Sequence, residues 1–109
     1  MPNYSRSDVV LVRYPFSDLS DTKVRPAVVV STSHSSQDLF IVPLTSKTGG
    51  LHAGEFVLTK WNQAGLNIET AVKRGVYTIK ETLVNRRIGK LGVSDVLLLE
   101  QSLREWLGL

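Results

Sequence analysis

Two short apolar runs, VVLV at 9–12 and AVVV at 27–30, flank a polar segment that carries Asp18, Asp21, Lys23 and Arg25. Runs this short, rich in valine and bounded by turn-forming residues, read as buried strands rather than helices. The first strand is predicted over 8–14, ending at Pro15, where a backbone donor is lost. Residues 16–23 form a loop, because Ser17, Asp18, Ser20 and Asp21 bond readily to nearby backbone and favour turns. The second strand covers 27–32. Just before it, Pro26 fixes its own φ and drives Arg25 towards an extended conformation, so the guanidinium is carried on stiff backbone.

The polar SHSSQD cluster turns the chain into a third strand at 39–43, with an exit at 44–46. Gly49, Gly50 and Gly54 make 47–54 a flexible loop. Short strands follow at 55–58, 70–73 and 76–79, with a turn region at 61–66. Residues 83–91 alternate as a half-exposed strand whose register the pattern leaves open. The clearest helix begins at Ser94 as N-cap, with Asp95 against the positive end of the helix dipole. Val93 and Leu98 stand in hydrophobic-staple positions. Val96, Leu99, Leu103 and Trp106 or Leu107 recur at the helical period and form a core-facing stripe, and Gly108 is a plausible stop. Residues 1–7 are polar and read as a loose arm. Several strands and one terminal helix predict a mainly β fold, a small curled antiparallel sheet closed by the C-terminal α-helix.

Length and composition narrow this picture. At 109 residues the chain is expected to be one domain spanning 1–109. No apolar stretch approaches the roughly 18 residues that a membrane span needs. The N-terminus MPNYSRSDVV carries no long apolar region followed by a small-residue cleavage site. Without cysteine there is neither a disulfide framework nor a thiolate metal site. A cytoplasmic protein with no membrane association is expected.

The net charge is only +3, but its distribution is uneven. Lys73, Arg74, Lys80, Arg86, Arg87 and Lys90 fall in one window, opposed there by Glu81 alone. Such clustering is the footprint of a polyanion binder, and equally of a surface that meets an acidic protein. The ten carboxylates form no recognisable ligand motif, and His34 and His52 lie at no ligand spacing. No metal or other cofactor is therefore expected. There is also no GxSxG elbow, P-loop or dinucleotide fingerprint. Arg25 beside a loop suits a phosphate, because its planar fork makes paired, charge-assisted hydrogen bonds.

Taken together, DVVLV-x-YPF-x-D, then K-x-RPAVVVS, then VPLTS at 42–46 resemble the opening of MazF/PemK-type growth-inhibitor toxins. Gly65-Leu66, Thr78-Ile79 and the terminal helix extend the resemblance more weakly over nearly the whole chain. It implies an SH3-like barrel of the MazF/PemK/CcdB kind and a toxin of a toxin–antitoxin pair. The implied activity is that of a sequence-selective endoribonuclease acting on single-stranded RNA as a homodimer, silenced by a cognate antitoxin. RNA carries its own nucleophile, the 2′-hydroxyl, so cleavage needs only positioned donors and a proton acceptor, with no metal. The resemblance assigns catalysis to Arg25, which would neutralise the phosphate, and to Thr45, which would bond the phosphate or orient the 2′-hydroxyl. It assigns RNA contact to Phe16, Lys23, Ser46, Lys47, His52, Lys73 and Arg74.

The chain departs from the family at 71–77. Some members carry an arginine and an aspartate there, the aspartate acting as proposed base, whereas this sequence reads AVKRGVY, without an acid. Asp18, Asp21 and His52 remain as alternatives for the base. Tyr14, Phe16 and Trp61 are aromatic residues able to stack on unpaired bases or to pack in the core. Two other readings follow from the same residues. One is a non-enzymatic, CcdB-like toxin that binds a protein such as DNA gyrase. The other is a family member that binds nucleic acid without cutting it.

Overall fold

The computed structural model describes residues 4–13, 24–32 and 34–109. Tyr14, Phe16, Asp18, Asp21 and Lys23 lie outside the described residues. Among the described residues seven strands and one α-helix follow in chain order: β1 (Asp8–Arg13), β2 (Val24–Val29), β3 (Asp38–Thr45), β4 (Phe56–Val57), β5 (Ala71–Val72), β6 (Tyr77–Lys80), β7 (Val84–Lys90) and α1 (Val93–Leu107). All described pairings are antiparallel, in the order β4-β5-β3-β2-β1-β7, with β6 also against β3. The sheet curls without closing, since no described pair joins β4 to β7. No described helix is long and apolar enough to cross a membrane.

Alternation along the strands builds two cores from one sheet. Val9, Val28, Val42, Leu44 and Val72 face α1, whose Leu99, Val96, Leu103 and Trp106 pack against them. Val10, Val12, Ala27, Val29, Leu39, Ile41 and Ile79 form a second buried cluster on the other face, with Tyr4, Tyr77 and Val84 at its margin. Strands buried on both faces read as continuous apolar runs, which explains VVLV and AVVV. The second strand starts three residues earlier than its apolar run, because Val24 and Arg25 pair with Arg13 and Val12. The open register of 83–91 has a physical cause: β7 slips against β1 between Val9 and Val10 and again between Leu11 and Val12.

Three expectations change. Residues 4–7 of the expected loose arm are tied down, with Ser7 N–H donating to Val29 O at 2.8 Å and Leu91 N–H donating to Ser7 O at 3.0 Å. The N-cap of α1 is Gly92, not Ser94, and it provides no side-chain cap. Ser94 instead shares a hydroxyl hydrogen bond with Thr59, and Asp95 is fully buried beneath the 59–60 turn. Val93 and Leu98 do not form a staple, being 78% and 39% exposed. Within the stripe, Trp106 is the packed residue and Leu107 is exposed. Gly108 ends the helix in the left-handed conformation, as expected.

Two glycines mark a close approach of backbone to backbone. A Cβ on Gly89 would meet the Ala64 carbonyl, and one on Gly65 would meet the Ile88 carbonyl. Here the 61–66 turn lies directly on β7. A Gly89→Ala substitution should therefore push the two segments apart and cost about 2–4 kcal/mol of stability. Chemical denaturation of the variant against wild type checks this.

Candidate functional site

The two prolines of the expected site lie at the end of the β2–β3 ladder. Ala27 pairs with Pro43, and Pro26, the next residue outward along β2, has no N–H to donate across to β3. Followed two residues further, the same register brings Arg25 and Thr45 to the same end of the two strands. Alternation puts both on the face of Ala27, Val29, Leu39 and Ile41, at the mouth of the second core. Arg25 is exposed, and Thr45 is half-buried. The Thr45 hydroxyl accepts the Lys47 amide at 3.1 Å. That bond satisfies a turn, and it also fixes the oxygen while leaving its own proton to be donated. Ser46 and Lys47 continue the chain as exposed residues beside it.

Lys73 and Arg74 reach this place from the opposite side of β3. Leu44 faces Val72 on β5, whereas Ile41 faces Tyr77 on β6, so three steps along β3 correspond to five on the other side. The two extra residues lift the 73–76 segment out of the ladder, with Lys73 N–H donating to Pro43 O at 3.0 Å. Both basic side chains are exposed. The rest of the basic window separates from them. Arg87 and Lys90 flank the buried Asp8 at 3.5 and 3.4 Å, and Lys80 pairs with Asp38 at 3.4 Å. A single run in the sequence is thus divided: Lys80, Arg87 and Lys90 stand in ion pairs, whereas Lys73 and Arg74 lie at the corner after β5.

The 47–54 loop, expected to be flexible, is anchored at several points. Thr48 donates to Glu69 at 3.3 Å, Trp106 Nε1 donates to Ala53 O at 3.0 Å, and Ser102 Oγ donates to Gly54 O at 2.6 Å. Gly54 adopts a φ of +85°, and a Cβ there would strike the Trp106 indole. Helix α1 therefore holds the base of the loop that carries His52. His52 itself is exposed. Trp61 is half-buried and packs against the helix-side core. Among the described residues no group of three or more His, Asp or Glu side chains converges as a metal site.

One residue was not legible as part of the site. Glu55 Oε1 accepts the His52 amide at 2.7 Å, and its Oε2 accepts the Arg74 amide at 2.8 Å. Burial works to raise its pKa, but these two amides, with the charges of His52 and Lys73, outweigh it and hold the carboxyl below the ordinary value. Both bonds are consequently in place at neutral pH and are lost only as pH falls through that lowered value. A carboxylate thus stands at the 73–74 corner, supplied by the residue just before β4. The only sequence signal was a local one: an acid just after the Gly54 turn.

Comparison with solved structures places the fold among toxins of one kind. An endoribonuclease in complex with its cognate antitoxin from a mycobacterial species is 15% identical, with 97% of this chain and 96% of that one covered and a TM-score of 0.77. The Mycobacterium tuberculosis toxin MazF-mt6 is 20% identical, with coverage of 94% and 97% and a TM-score of 0.73. MazF from Deinococcus radiodurans is 17% identical, with 97% of each chain covered and a TM-score of 0.76. Comparison with curated protein sequences finds no match. At these identities the structures establish the fold alone. Residues 5–107 match the family described as the PemK-like, MazF-like toxin of type II toxin–antitoxin systems, and the chain belongs to that family.

Proposed function

We propose that this toxin is a metal-independent, sequence-selective endoribonuclease that cuts single-stranded RNA in the cytoplasm. What supports the reading is the β2–β3 register, which, continued past Ala27–Pro43, puts Arg25 and Thr45 at one end and on one face of the two strands, with Lys73 bonded to Pro43 on the other side of β3. Arg25 presents a fork of donors to the scissile phosphate and offsets the charge that builds on it as the 2′-oxygen attacks. Thr45, its oxygen held by the Lys47 amide, donates to a phosphate oxygen or to the attacking 2′-oxygen. Ser46 and Lys47, which follow Thr45, and His52, Lys73 and Arg74, whose backbones are tied to Glu55 and Pro43, are assigned to contacts along the RNA backbone. Phe16 and Lys23 are assigned to the same surface by the family pattern.

The 2′-hydroxyl gives up its proton to water or to one of the alternative bases Asp18, Asp21 and His52. Its oxygen bonds to phosphorus as the bond to the 5′-oxygen breaks, and the leaving 5′-oxygen takes up a proton from solvent. Products then end in a 2′,3′-cyclic phosphate and a 5′-hydroxyl. Because the nucleophile belongs to the substrate, the cleavage rate should stay within about twofold of its starting value in excess chelator. Loss of cleavage on chelation, restored by a divalent ion, would overturn the metal-free reading. The active species is proposed to be a homodimer held inactive by a cognate antitoxin; the antitoxin part is supported by the mycobacterial endoribonuclease, which is in complex with its own cognate antitoxin. Absence of cleavage by the wild type across varied RNA sequences would favour the protein-binding, CcdB-like alternative.

A further inference from the structure

We propose that Glu55 is a positioning residue of the cleavage site, clamping the His52 turn and the Arg74 corner together beside the end of β3. The inference rests on the ribonuclease reading above. Its basis is how the carboxylate is used. One oxygen takes the His52 amide at 2.7 Å and the other takes the Arg74 amide at 2.8 Å, while the Glu55 amide donates back to His52 O at 3.0 Å.

Three features give this arrangement a functional sense. First, the bonds go to backbone donors, so the carboxylate orients residues 73 and 74 without drawing their side-chain cations away from RNA. Second, the corner needs an external hold, since its two extra residues leave it outside the β3 ladder beyond the Lys73–Pro43 bond. Third, the clamp joins a loop that α1 already fixes through Ala53 and Gly54, so the corner is referred to the rigid helix rather than to a free loop. With both oxygens committed and its carboxyl held in the ionised form, Glu55 is a poor proton acceptor. Its part is geometric.

The test uses the full chain and two variants, with kcat, KM and thermal midpoint measured on a single-stranded RNA that the wild type cleaves. In Glu55→Gln the amide group has one acceptor oxygen and cannot take both backbone donors. The expected result is a kcat lower by about tenfold or more, from a displaced corner. KM should be no higher than in wild type, because a negative charge near the RNA has been removed. The thermal midpoint should move by no more than about 5 °C. Glu55→Asp keeps the charge but is one methylene too short to bridge, and it should lose kcat similarly.

Wild-type kcat in either variant would overturn the clamp. So would a rise in KM together with a large fall in the thermal midpoint, the pattern of general loosening. An active wild type with unaffected variants sinks this inference alone, whereas an inactive wild type sinks the ribonuclease reading and this inference with it.

Discussion

Arg25→Ala should reduce RNA cleavage by roughly 100- to 1,000-fold while leaving the protein folded, the scale of effect seen when one donor to a developing anion is removed. Arg25 is an exposed residue near the start of β2, so its side chain contributes little to either core. The backbone that carries it is held by pairing with Val12 and by Pro26, which the substitution leaves in place. Circular dichroism should therefore be unchanged, and the thermal midpoint should stay within about 5 °C of wild type. Arg25→Lys should recover only part of the activity. An ammonium keeps the charge but lacks the planar fork that meets two phosphate oxygens at once. Full activity in Arg25→Ala would move the chemistry elsewhere on the molecule.

The largest loss of stability should come from Asp95→Ala, in the first turn of α1. Asp95 is fully buried and accepts four hydrogen bonds. The Thr59 amide donates to both of its oxygens, at 3.0 and 3.1 Å, the Thr59 hydroxyl to one at 3.0 Å, and the Lys60 amide to the other at 3.1 Å. The first turn of α1 is held to the 59–60 turn in this way, 36 residues apart in sequence. Alanine removes every acceptor at once and leaves two amides without their acceptor, for an expected loss of about 3–5 kcal/mol. Asp95→Asn keeps the shape and one good acceptor, so it should cost less. Denaturant unfolding of both variants gives the comparison, and an alanine variant within 1 kcal/mol of wild type, about one ordinary hydrogen bond, would contradict this account.

The sequence was informative where the determinants are local. VVLV, AVVV and the RPAVVVS–VPLTS pair are continuous stretches, so the central strands that carry Arg25 and Thr45 could be read directly. The helix stripe was legible for the same reason: Val96, Leu99, Leu103 and Trp106 all face the core. What was missed depends on partners brought together by the fold. Ser94 and Asp95 look like helix-start residues acting on their own helix, but their bonds run to Thr59 and Lys60. Glu55 contacts backbone amides of His52 and Arg74, and amides carry no residue-specific signature. The basic window looked like one surface, yet Arg87 and Lys90 are engaged by a buried aspartate whose position in the chain, residue 8, gives no hint of it.

The central claim is that the RNA's own 2′-hydroxyl is the nucleophile at a phosphate held by Arg25 and Thr45. The most direct measurement is the chemical identity of the ends produced when the wild type cuts a defined single-stranded RNA in excess chelator. A 2′,3′-cyclic phosphate facing a 5′-hydroxyl, formed by wild type and not by Arg25→Ala, is the predicted result. A 5′-phosphate facing a 3′-hydroxyl, or cleavage that appears only when a divalent ion is added, would contradict it.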